Sequence, residues 1–238
     1  MHSCVLLELL NLLSKSKQTQ AAKSVAYIAN TSYFFLLFQI RVDIVLDNSG
    51  YELYTDLILA EFLLKFEIAD RVYFHPKSIP WFVSDVTPAD FHLVLDKLCE
   101  KEGSVADLAN GWKKRIENGS FVLVDDLQTI SFWTSAEAYS NMKCMSPDLY
   151  DFLSQSDMIF FKGDLNYRKL VGDLNWPHET PFIEVLRGFT PSSLCTLRTL
   201  KADVVVGLKP GQAPIIEKED QDWMVTGKYA VIQSYISL

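Results

Sequence analysis

Apolar runs broken by short polar clusters set the rhythm of the chain. Residues 42–46, VDIVL, form a short β-branched stretch of the kind found in buried parallel strands. The stretch ends in the polar cluster Asp47-Asn48-Ser49-Gly50. Residues 51–66 then repeat apolar side chains at helical spacing, at Leu53, Leu57, Ala60 and Leu64. Strand, polar turn and helix make the opening of a βα unit. Residues 71–74 read as the next strand and 87–99 as the next helix, with Thr87 as N-cap, Pro88 at the first helical position and Asp90 in the first turn. The charged stretch 101–120 is expected to hold one helix around Trp112. Residues 121–124 suit a strand, and 147–154 a helix that starts at Pro147. Residues 158–161, MIFF, are another buried strand, followed by a polar segment and a helix over 167–170. Strands are expected again at 194–200, 202–208 and 229–233. Alternating strands and helices imply an α/β fold, a three-layer sandwich with a mostly parallel sheet and its working residues at the carboxyl ends of strands.

Residues 1–40 differ from the rest. An apolar start is followed by the polar stretch 14–23 and a second apolar run at 33–40, YFFLLFQI. The pattern predicts a short N-terminal helical appendage over 1–40 ahead of an α/β domain over 41–238. The first thirteen residues lack a basic start and are interrupted by Glu8 and Asn11, so they do not read as a secretory signal. The run at 33–40 is far shorter than the roughly 20 residues a bilayer needs.

Hydrophobic residues make up 49% of the chain and charged residues 22%, enough apolar material for a large core. A net charge of −8 argues against nucleic-acid and anionic-membrane partners, which need a concentrated positive face. Cys4, Cys99, Cys144 and Cys195 lie far apart without a C-x-x-C pair. Neither zinc ligation nor a disulfide framework is expected, and a reducing, cytoplasmic setting fits. His75, His92 and His178 lack ligand spacing and read as surface or supporting residues.

Three loops carry candidate chemistry: Asp47-Asn48 after VDIVL, Ser84-Asp85 after the segment 79–83 (IPWFV), and 162–168 (KGDLNYR) after MIFF. Each alone also reads as an ordinary turn or helix entry. Together they offer two carboxylates and an amide carbonyl, oxygen donors suited to a hard divalent cation such as Mg²⁺ or Mn²⁺, with Lys and Arg nearby for a phosphate.

At these loops the chain resembles a known family. VDIVLDNSGYELYTDLILAEFLL at 42–64, IPWFVSD at 79–85, FKGDLNYRKL at 161–170, CTLRTLK at 195–201, GLKPGQ at 207–212 and WMVTGKY at 223–229 are similar, in order, to blocks of the damage-control phosphatases. The branch is the one also described as protein-glutamate O-methyltransferase (acidic residue methyltransferase-like). The resemblance implies that Asp47, Asn48 and Asp85 ligate a metal, Mn²⁺ or else Ni²⁺, Co²⁺ or Mg²⁺. It implies a substrate site of Asp47, Asn48, Asp164, Leu165, Asn166, Tyr167, Arg168 and Lys201, with Asp47 as the catalytic residue, either nucleophile or ligand. The implied reaction is hydrolysis of small-molecule sugar phosphates such as fructose 1-phosphate and fructose 6-phosphate. One alternative is methyl transfer from S-adenosylmethionine, with Glu52 and Asp85 as contacts. The turn DNSG is not the glycine-rich nucleotide loop G-x-G-x-x-G. Members of the branch carry a helical region before the Asp-Asn motif that residues 1–40 do not resemble. The chain therefore reads as N-terminally shortened, and a second alternative is an inactive fragment that acts as a binding partner.

Overall fold

A computed structural model describes residues 39–237; the expected N-terminal appendage, apart from residues 39 and 40, and Cys4 lie outside them. β1 (Arg41–Val45) is buried at every position. It sits at the centre of a six-stranded sheet with β2 (Arg71–His75), β3 (Phe121–Leu123), β4 (Met158–Lys162), β5 (Leu194–Thr199) and β6 (Ala230–Tyr235), in the order β3-β2-β1-β4-β5-β6. All neighbours pair in parallel except β5 with β6. The continuous apolar runs arise because both sheet faces are covered.

Alternation along the strands separates the two cores. Val42 and Ile44 of β1, with Met158 and Phe160 of β4, join one apolar cluster. There they meet Leu53 and Leu57 of α1 (Tyr51–Lys65), Phe91 and Leu95 of α2 (Pro88–Cys99), and Trp112 of α3 (Ser104–Glu117). Ile159 and Phe161 project into the other cluster. This one holds Trp133, Tyr139, Leu149 and Leu153 of α4 (Pro147–Leu153), and Leu170 of α5 (Gly163–Val171). Helices on both faces of the sheet give the expected three-layer sandwich. Each fully buried large apolar side chain contributes on the order of 1.5–3 kcal/mol.

α2 begins as its sequence dictates. Asp90 N–H donates to Thr87 Oγ1 (3.2 Å), and Thr87 N–H donates to Asp90 Oδ2 (3.0 Å). This reciprocal cap is worth about 1 kcal/mol. Among the described residues no helix is long and apolar enough to cross a membrane.

One expected strand, 202–208, is absent, and the apolar segment 79–83 forms tight turns, with Trp81 N–H on Ile79 O and Val83 N–H on Pro80 O. Val83, although β-branched, takes φ 64°. Residues 202–208 are irregular because side chains and loops, not a ladder, bind their backbone. Arg198 donates to the carbonyls of Ala202 and Val204, Val206 N–H donates to Tyr167 Oη, and Gly207 N–H donates to Thr180 O. The edge of β5 is already taken by β6. α5 starts at Gly163, earlier than the helical spacing at 167–170 indicates. His75, read from sequence as surface or supporting, is fully buried against Asp43.

From β1 the chain moves outward through α1 to β2 and β3, and later returns to β4 on the other side of β1. The carboxyl ends of β1 and β4 therefore flank the point where strand order reverses. In open α/β sheets this is where ligands bind.

Candidate functional site

Asp47 and Asn48 leave the end of β1, and α5 leaves the end of β4, so the first and third candidate loops meet at the switch point. The second loop joins them through the backbone. Ser49 N–H donates to Ser84 O (2.8 Å) and Val86 N–H to Asp47 O (2.9 Å), and Asn48 forms a bridge with Asp85. Three segments remote in sequence are thus brought to one place. Val83, with its left-handed backbone and 90% exposure, lies just before Asp85. A β-branched residue held there stores strain, on the order of 1–3 kcal/mol, a feature that clusters at functional sites.

The acids at this point are under-satisfied. Asp47 is buried and accepts one side-chain hydrogen bond, from Asn48 Nδ2 (2.7 Å). Burial, reinforced by the charges of Glu52 and Asp85 against those of Lys77 and Lys162, pushes its carboxyl up to about 7. Asp85 accepts from Phe82 N–H at 2.5 Å through Oδ2, while its buried Oδ1 has no hydrogen-bond partner among the described residues. Asn48 Nδ2 also donates to Glu52 Oε2 (2.8 Å), and Asn48 Oδ1 accepts from Ser84 Oγ (2.5 Å). Lys162 binds Glu52 Oε1 at 3.0 Å and Asp56 Oδ1 at 2.6 Å.

A divalent cation fits these groups. An orphaned carboxylate oxygen beside a second buried acid is the pattern a bound cation relieves. Among the described residues no three His, Cys, Asp or Glu side chains gather as a metal cluster. The protein donors would therefore be the two carboxylates and the Asn48 carbonyl. A site that leaves its other positions to water and phosphate suits a Mg²⁺-like ion.

The substrate residues expected from sequence divide into groups. Asp164 is half-buried and paired with the buried Arg198 Nε at 2.7 Å. Leu165, Asn166 and Tyr167 are buried, and the polar atoms of Asn166 are all engaged. Arg168 pairs with Asp173 (2.7 Å), and Lys201 is exposed just past β5. Neither hydrogen-bonds to Asp47, Asn48 or Asp85 among the described residues. Glu52 has one oxygen on Asn48 and the other on Lys162.

Sequence reasoning missed Gly163 and Lys77. Gly163 has φ 81°, and a Cβ there would lie 1.9 Å from Asp47 Oδ2, so the Asp47 carboxylate packs onto a position where only glycine fits. Nothing local in the sequence announces this contact. Lys77 is fully buried and donates to Asn166 Oδ1 (2.7 Å). A lysine set among apolar residues and prolines, RVYFHPKSIPWFV, is the one signal that could have found it.

A family profile described as the damage-control phosphatase ARMT1-like domain matches residues 7–216. The chain belongs to this family. Among its curated relatives, "Damage-control phosphatase ARMT1" of Bos taurus is 43% identical over 224 residues, covering 94% of this chain and 47% of the relative. The protein of that name from Danio rerio is 47% identical over 194 residues, 81% of this chain and 42% of its own length. The Homo sapiens protein is 46% identical over 194 residues, 81% of this chain and 43% of its own. The chain thus spans less than half the length of these relatives. The family match falls on the Asp47, Asp85 and Asp164 loops, all three of which the fold gathers at the switch point.

Proposed function

We propose that the chain carries a metal-dependent phosphate-monoester hydrolase site, with Asp47, Asn48 and Asp85 as metal ligands and reactive sugar phosphates, fructose 1-phosphate and fructose 6-phosphate, as substrates. The observation that carries this reading is the pair of buried, under-satisfied carboxylates at the strand-order reversal, Asp47 raised to about 7 and Asp85 with an orphaned oxygen. Mn²⁺ is the assigned ion, with Ni²⁺, Co²⁺ and Mg²⁺ as substitutes of similar donor preference. Such a cation would supply Lewis-acid stabilisation of charge on the phosphate oxygens.

The chain's own groups have separate tasks. Asp47 is the catalytic residue, held against Gly163 so that its carboxylate stays in the crevice. Asn48 is oriented by Glu52 and Ser84. Arg168 and Lys201 are the cations assigned to the phosphate. Asp164, oriented by Arg198, is assigned to sugar hydroxyls. Buried Leu165, Asn166 and Tyr167 hold the first turns of α5 in place. Glu52, which the methyl-transfer alternative assigns to S-adenosylmethionine, has both oxygens taken by Asn48 and Lys162, and no contact favours that alternative. The same reading takes residues 41–238 as the catalytic domain and 1–40 as an appendage.

The test is phosphate release from fructose 1-phosphate and fructose 6-phosphate by the purified chain with and without Mn²⁺. Turnover is expected only with the metal, and Asp85→Asn should reduce it by about 100-fold or more, since several kcal/mol of charge stabilisation is lost. Full Mn²⁺-dependent turnover in Asp85→Asn would defeat the assignment. Transfer of label from S-adenosylmethionine without metal would favour the methyltransferase alternative instead.

A further inference from the structure

One buried residue connects all three loops of the site, yet the proposed chemistry does not use it. Lys77 follows β2 and is fully buried. Its backbone N–H donates to Val86 O (2.8 Å), next to Asp85, and Val86 N–H donates in turn to Asp47 O (2.9 Å). Its Nζ donates to Asn166 Oδ1 (2.7 Å). That oxygen also accepts from the buried Tyr139 Oη (2.5 Å). The Asn166 amide then donates to the carbonyls of Lys162 (2.6 Å), Leu46 (3.1 Å) and Val45 (3.3 Å). These carbonyls are the ends of β4 and β1, from which Gly163 and Asp47 emerge. By main chain Lys77 holds the Asp85 segment, and by side chain it holds the other two loops.

A buried ammonium is expensive unless its surroundings compensate. Burial pushes the Lys77 ammonium down to about 8, and the charges of Asp85 and Asp47 act against that shift; Asn166 accepts its hydrogen bond, and the Trp133 ring lies 5.8 Å away. A lysine serving only to fill the core would be better replaced by an apolar residue of the same length.

We propose that Lys77 is a positioning residue: acting through Asn166 and the Val86 carbonyl, it clamps the Asp85 segment and the first turn of α5 against the end of β1, fixing the distance between the candidate metal ligands and the substrate loop. Its kinetic consequence rests on the phosphatase reading, but its structural consequence does not. Asn166, expected from sequence to contact substrate, becomes the middle of this clamp.

The test compares Lys77→Met, Asn166→Leu and the double variant by amide hydrogen exchange, thermal unfolding and steady-state kinetics with Mn²⁺. In Lys77→Met, exchange at 163–167 should rise about tenfold or more, as the charge-assisted hydrogen bond to Asn166 is lost, while 84–86, held by the Lys77 main chain, should stay near wild type. The unfolding midpoint and exchange elsewhere in the sheet should stay near wild type. Turnover should fall about tenfold in kcat, with KM changed by less than about threefold, because ligand geometry and not substrate affinity is disturbed. The double variant should lose no more than the worse single variant, as expected for one coupled unit. Unchanged exchange at 163–167, a loss confined to KM, or additive losses would each overturn the clamp. If Lys77→Met does not unfold cooperatively, Lys77→Gln replaces it: faster exchange confined to 163–167 supports the clamp, and unchanged exchange there rejects it. A wild-type chain that releases no phosphate would remove the phosphatase reading, while the exchange comparison would still decide the clamp.

Discussion

Two buried aspartates on one stretch of chain, Asp43 within β1 and Asp47 just past its end, respond to burial in opposite ways. Asp43 is fully enclosed and accepts from Arg41 Nε and Nη2, both at 2.8 Å, and lies 2.7 Å from His75 Nε2. The Arg41 guanidinium lies against the rings of Tyr73 and Phe152, 3.9 and 4.0 Å from their centres. Burial alone would raise the Asp43 carboxyl. The hydrogen bonds and charges of His75 and Arg41 outweigh it and hold the group below its usual range. Among the described residues Asp47 has only Asn48 as a side-chain donor, and burial together with Glu52 pushes it up to about 7. A buried acid whose neighbours supply donors to both of its oxygens, as Arg41 and His75 do for Asp43, is held as part of the scaffold. A buried acid left with few donors at the end of a strand is a candidate for ligand binding.

The largest effect should come from the fully paired Asp43 carboxylate. Asp43→Leu strands the Arg41 charge in the core and should remove about 3–5 kcal/mol of stability in denaturant unfolding. Asp47→Asn, which removes an under-satisfied acid, should leave stability unchanged or raised at neutral pH. If Asp43→Leu unfolds at the wild-type midpoint, the contrast is wrong.

The pH dependence sharpens the contrast next. Asp47 at about 7 and Asp56 at about 6 both lie above their unfolded values near 3.8. Burial raises each of them, with the Glu52 charge adding to it. An acid raised by folding stabilises the fold while protonated, and that stability is lost as pH rises through the folded pKa. In the absence of divalent cations the chain should therefore lose stability between about pH 4 and pH 7, on the order of a few kcal/mol. Asp43, shifted the other way, contributes stability above its unfolded pKa that is lost only in stronger acid. Unfolding midpoints across this range should show a decline that Asp47→Asn flattens; an equal decline in the variant would mean that Asp47 is not its source.

Gly163→Ala should cost about 1–2 kcal/mol from its left-handed backbone. It should also weaken Mn²⁺ binding measured by calorimetry, because the new methyl would occupy the place of the Asp47 carboxylate. Retained affinity would show that Asp47 can move without consequence. The smallest stability effect belongs to Arg168→Ala. Its pair with Asp173 is partly solvated, so the loss should stay within about 1 kcal/mol. Turnover should nevertheless fall, and an unchanged KM and kcat would remove Arg168 from the substrate site.

The central strands were legible because VDIVL and MIFF are buried on both faces, which leaves a continuous apolar run in the sequence. Helix α2 was legible because its cap is local, held within Thr87-Pro88-Ala89-Asp90. Asp47, Asn48 and Asp85 could be singled out by residue type and position after the apolar segments, and the fold gathers them. The stretch 202–208 was misread because its apolar residues look like a strand, while its backbone is bound by Arg198, Tyr167 and Thr180 from elsewhere in the chain. Lys77, Tyr139 and Gly163 act through contacts with distant segments, and no local spacing encodes those. The contrast between Asp43 and Asp47 was equally hidden, since it depends on which donors the sheet brings to each.

The most direct measurement is thermal unfolding of the chain with and without saturating Mn²⁺, beside Asp85→Asn under the same conditions. A ligand that binds only the folded form at about 100 times its Kd adds roughly 2.7 kcal/mol, a shift of several degrees for a chain of this size. The account predicts that upward shift in the wild-type chain and its loss in Asp85→Asn. A cooperative wild-type transition that Mn²⁺ leaves in place would contradict the assignment of Asp47, Asn48 and Asp85 as a metal site.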